Sequence, residues 1–162
     1  MSPPPTLRPP GFSRRTLLTA SAAGAALLVV GCTSEPPDPR EAVTSEQADE
    51  LAAQLTVQES LVAAFEAATT ADPALGAAVA QLADQANAQL QSLRDAAPNT
   101  TSSAAPSTPA PPSGPEAKSW LRSQVAAAAT SHATACLDQS GARSALLGSI
   151  AAGLRGQDGR LA

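Results

Sequence analysis

The chain has no tyrosine, one tryptophan, two phenylalanines and no methionine after the first residue, so aromatics make up 2% of its 162 residues. A sheet protein is excluded by that scarcity, because strands draw on aromatic and β-branched side chains. Positive charge is equally thin: charged residues total 15% and the formal net charge is -4. A nucleic-acid binder needs a basic surface, so that class is excluded as a partner. No CxxC pair, phosphate loop or Ser/His/Asp arrangement occurs, and His132 is the sole histidine. Only Cys32 and Cys136 carry thiols, which gives no disulfide framework. No apolar run reaches the ~20 residues of a comfortable membrane span. What the chain has is alanine, 38 residues of it. Alanine leads the helix propensity scale, so closely packed helices are the expectation. The length allows one domain, or one domain with a tail.

Residues 1–31 read as an address to be set aside before fold reasoning. Met1 to Arg15 is proline-rich and carries Arg8, Arg14 and Arg15 with no acid. The uncharged apolar run Thr16 to Val30 follows, and Val29-Val30-Gly31-Cys32 closes the segment. Ser13-Arg14-Arg15-Thr16-Leu17-Leu18 resembles a twin-arginine export signal, with Arg14 and Arg15 as its pair. Val29-Val30-Gly31-Cys32 resembles the lipobox of bacterial lipoproteins. That resemblance implies a diacylglyceryl group on the Cys32 sulfur, cleavage before Cys32, and acylation (palmitate among the chains) of the new amine. Several acyl chains give stable anchoring where one is marginal. The expected partner is therefore the lipid bilayer, through lipidated Cys32, on the exported side of the cell membrane. The competing reading is an uncleaved membrane helix with an incidental cysteine. Cys136 is then left alone in a helical pattern, read as a buried inert thiol.

Residues 32–44 form a polar tether with Pro36, Pro37 and Pro39. The domain is expected over 45–162. Ser45 with Glu46 and Gln47 marks a helix start. Leu51, Leu55, Val62 and Phe65 follow at helical spacing, with Gln58 filling the skipped turn, to an end near Thr69. Asp72-Pro73 starts a second helix with an acid cap and a first-turn proline. Its stripe is Leu75, Val79, Leu82, Ala86, Leu90 and Leu93, stopping before Pro98. Residues 98–115 are uncharged, without large apolar side chains, and read as a disordered or polyproline-like linker. Asn99-Thr100-Thr101 matches a glycosylation triplet, a weak match in a bacterial lipoprotein. A third helix starts near Glu116, with Trp120 or Leu121, Val125, Ala128, His132 and Ala135 on one face and Trp120 as a packing anchor. A fourth carries Leu146, Leu147, Ile150, Ala151 and Leu154, with Gly153 and Gly156 weakening its end and Gly159 predicting fraying. Such helices must bury their faces on one another. The fold class predicted is all-α, a four-helix bundle of two antiparallel hairpins. The first hairpin is acidic and the second slightly basic, so charge should help them dock. Small alanine faces bury little area each, which predicts marginal stability and makes a homo-oligomer a further candidate.

The chain resembles the ferritin-like domains of actinobacterial lipoproteins and exported proteins. The residues that carry it are Gln58-Glu59-Ser60-Leu61, Asp72-Pro73-Ala74-Leu75, Gln89-Leu90-Gln91-Ser92-Leu93 and Leu146-Leu147-Gly148-Ser149-Ile150-Ala151-Ala152. They span most of 45–157. The resemblance implies a ferritin-like bundle behind an export signal, with no settled substrate. Di-metal sites of that kind need carboxylates on four helices, with Glu-x-x-His on two. Here Glu59 matches one carboxylate, Gln85, Ala86 and Gln89 stand where Glu and His are wanted, and Ala129 precedes His132 by three residues. Leu154 and Gln157 stand at the matching places of the last helix. No cofactor, metal site or catalytic residue is therefore expected. The reading is a non-enzymatic envelope lipoprotein whose bundle meets a protein partner or is structural. The alternative is a small-ligand carrier or enzyme with a polar pocket between helices, at Glu59, Gln85, Gln89 and His132. The two diverge on whether Gln58, Gln85, Gln89, His132 and Gln139 converge or point to water.

Overall fold

A computed structural model describes residues 43–97 and 110–162. The candidate export pair Arg14 and Arg15, the candidate lipidation site Cys32 and most of the linker lie outside those residues. The described chain is an all-α four-helix bundle: α1 (Ser45–Ala71), α2 (Pro73–Ala96), α3 (Glu116–Ala135) and α4 (Gly141–Arg160). No described helix is long and apolar enough to cross a membrane.

Local chemistry sets the helix ends. Thr44 caps α1 in a reciprocal box: its hydroxyl accepts from Gln47 N at 3.2 Å, and Gln47 Oε1 accepts from Thr44 N at 3.3 Å. Asp72 ends α1 and starts α2, its Oδ1 accepting from Ala74 N and Leu75 N at 3.0 and 3.1 Å. With Pro73 at the first helical position, a single residue reverses the chain. Gly76 makes that reversal close, because a β-carbon there would overlap Thr69. Gly141, at φ 54°, opens α4 in the left-handed region that favours glycine.

Helices α1 and α2 pack as one antiparallel pair, and α3 and α4 as the other. The cross-pair bonds give the topology. Gln47 near the start of α1 bonds residues 138 and 139 after α3, and Gln58 meets His132. Thus α1 and α3 are also antiparallel. Lys118 on α3 donates to the Ala162 carbonyl, so α3 begins where α4 ends. It follows that α2 ends and α3 begins at opposite ends of the bundle. Residues 97–115 must therefore connect one end to the other, over roughly 30 Å for a 20-residue helix.

The α2 stripe is buried as its periodicity predicts, from Leu75 to Leu93. In α1 it is Leu61 rather than Val62 that is fully buried, because this helix packs on both α2 and α3 and hides a wider arc. Leu121 holds the core position in α3, with Trp120 half-buried against it. The expected fraying at Gly159 does not occur. Helix α4 runs to Arg160, Leu161 is buried, and Arg122 Nε holds Asp158 Oδ1 at 2.8 Å. Both described ion pairs, Arg94–Glu59 and Arg122–Asp158, lie within a hairpin. Neutral hydrogen bonds and alanine-lined packing join one hairpin to the other, which suits the low worth of exposed ion pairs.

Candidate functional site

The centre of the bundle is polar but uncharged. Gln58 and His132 are both 0% exposed. Gln58 Nε2 donates to the Ala86 carbonyl at 2.9 Å and to Gln89 Oε1 at 3.3 Å. Both amide hydrogens are thereby committed, so Gln58 Oε1, 3.0 Å from His132 Nε2, is the acceptor there. The imidazole is thus the neutral Nε2–H tautomer. Burial alone lowers its pKa from 6.5 to about 4. Its other nitrogen, Nδ1, is buried without a hydrogen-bond partner.

This relay reaches the surface through Gln89, which is half-buried in the wall of a cleft between α2 and α4. These two helices touch along only a short stretch. The cleft holds about 490 Å3 and is lined by Gln85, Ala88, Gln89, Gly153, Gly156, Gln157 and Arg160. Two α4 glycines keep it open. A β-carbon at Gly156 would meet nothing within 4 Å, and one at Gly153 would lie 3.0 Å from Gln89 Nε2. Gln157 forms the floor at 2% exposure, its Nε2 donating to Gln85 Oε1 at 3.2 Å.

Of the residues singled out from sequence, Gln89 and His132 bond directly to Gln58, whereas Gln85 bonds Gln157 in the cleft. Glu59 pairs with Arg94 Nη2 at 3.0 Å across α1 and α2. Gln139 is also separate, buried at the far end and donating to the Gln47 carbonyl at 2.9 Å. Cys136 is half-buried, its Sγ 3.2 Å from the Ser144 carbonyl. Arg160, Gly153 and Gly156 were not read as site residues, and Gln157 only as a missing metal ligand. The available signal was two glycines three apart in α4, followed on the same face by Gln157 and Arg160. Among the described residues no group of three or more His, Cys, Asp or Glu could hold a metal. Comparison with protein-family models, curated proteins and solved structures returns no match.

Proposed function

We propose that this chain is an exported cell-envelope lipoprotein, anchored through lipidated Cys32, whose ferritin-like bundle is a non-catalytic module for protein interaction or support. The ferritin-like reading is supported by its two antiparallel hairpins joined by one end-to-end connection, the arrangement of that fold group. The observation that carries the non-catalytic reading is the central relay. Gln58 spends every amide hydrogen and its oxygen on Ala86, Gln89 and His132. A buried His132 held by a neutral amide, with no carboxylate bonded to either, is a packed polar contact between helices. The test is native purification of the full chain from the envelope after labelling with an alkyne palmitate. We expect label and membrane association that Cys32→Ser abolishes, and no stoichiometric metal or haem. Retained label in Cys32→Ser refutes the anchor, and stoichiometric metal refutes the non-catalytic reading.

A second reading, a small-ligand carrier, is favoured by the cleft between α2 and α4. Its glycines leave room, and its lining holds the buried amide of Gln157 and the half-buried amide of Gln89.

A further inference from the structure

The end of the bundle where α1 starts and α3 stops carries an apolar patch. Val43 is 49% exposed and Leu137 83%, and no other large hydrophobic side chain is exposed among the described residues. One amide ties the two positions together. Gln47 Oε1 accepts from Thr44 N, and Gln47 Nε2 donates to the Asp138 carbonyl, both at 3.3 Å. The turn that carries Leu137 is pinned, which holds this side chain outward. Leu137 N donates to the Thr134 carbonyl at 3.0 Å, Asp138 N to the Ala135 carbonyl at 3.2 Å, and Ser144 Oγ to the Cys136 carbonyl at 2.9 Å. Glu46, Glu50 and Asp138 line a hollow at the same end.

We propose that this end is seated on a lipid surface, with Leu137 and Val43 entering the headgroup boundary of a zwitterionic bilayer. The proposal rests on the reading of Cys32 as the anchor. Chain length decides which end meets the surface. From Cys32 to Val43 is eleven residues, which span at most about 40 Å when fully extended. Helix α1 alone, at 27 residues, is about 40 Å long. The opposite end could reach the surface only with the tether stretched straight along the whole bundle. The flanks carry no exposed large hydrophobic side chain among the described residues, so they offer a bilayer little to bury. The tether makes the meeting of patch and surface intramolecular, so two apolar side chains suffice. The acids at the rim oppose an anionic surface, which selects zwitterionic lipid.

The test uses the full lipidated chain on phosphatidylcholine vesicles whose acyl chains carry bromine, a contact quencher of tryptophan emission. Trp120 is the one native tryptophan and lies about 25 Å along α3 from the patch, so its emission should be unchanged. Trp120→Phe with Ser140→Trp moves the reporter to an exposed position beside the turn and keeps Leu137. We expect that reporter to lose most of its emission on brominated vesicles. Adding Leu137→Asn and Val43→Ser should restore the emission while the acyl chains keep the protein vesicle-bound. Quenching that survives those two changes overturns the patch. A reporter that stays bright on vesicle-bound chain overturns the docking and spares the anchor, and cross-linking between bound copies at this end then assigns the patch to a second chain. A full chain that does not bind vesicles overturns the anchor and the docking together.

Discussion

Acidification should destabilise this bundle through one residue. His132 has no exposed surface, its bonded neighbour Gln58 is neutral, and burial lowers its pKa from 6.5 to about 4. Below pH 6.5 the unfolded chain binds a proton on this imidazole that the folded chain declines until near pH 4. Stability is therefore full above pH 6.5, falls through that window and levels off below pH 4. Two and a half pK units at about 1.4 kcal/mol each place the full effect at about 3 kcal/mol, with about 2 kcal/mol lost by pH 5. That is a large share of the 5–15 kcal/mol typical of domains. The chain has a single histidine, so its imidazole resonance is unambiguous. A folded-state titration should show a midpoint near pH 4. Urea unfolding should weaken from pH 7 to pH 5 in the native sequence and much less in His132→Gln. A folded midpoint near 6.5, or equal pH slopes in the two proteins, would refute the account.

Three further outcomes follow from the packing. Gln58→Leu strands the buried His132 Nε2–H, and should lower stability by about 1–3 kcal/mol in urea unfolding. Adding His132→Leu should return part of that loss, whereas strict additivity would dismiss the relay as a coupled unit. Asp72→Ala removes a cap that accepts from two backbone amides, and circular dichroism melts should show a loss of about 1 kcal/mol. Gly76→Ala forces a methyl against Thr69, costing roughly 1–3 kcal/mol, and Thr69→Ala in the same chain should relieve it.

The bundle was legible where one helix faces one direction. Helix α2 carries a proline start, an acid cap and a single apolar face, and its buried residues follow the stripe. Helix α1 touches two neighbours, so adjacent Leu61 and Val62 both fit the period and only contact decides between them. The C-terminal turn misled because glycine propensity is a local quantity. Burial of Leu161 and the bonds from Lys118 and Arg122 outweigh it. His132 stood out as a polar residue on the α3 stripe, whereas Glu59, Gln85 and Gln89 were singled out through the ferritin-like resemblance, and the Glu59 carboxylate pairs with Arg94 on another helix. The cleft was hidden because its defining residues are glycines, which contribute space, and space is a property of two helices at once.

The end-to-end connection makes the two hairpins nearly separate proteins held at a fixed mutual concentration. Each hairpin closes locally, while the bonds described between them join residues more than 70 positions apart. Joining two modules in one chain makes their meeting intramolecular. Cutting the chain between Ala97 and Ala110 would remove that enforced proximity while keeping every residue of the four helices. The bundle would then behave as a heterodimer, folded when concentrated and dissociating into unpaired hairpins on dilution.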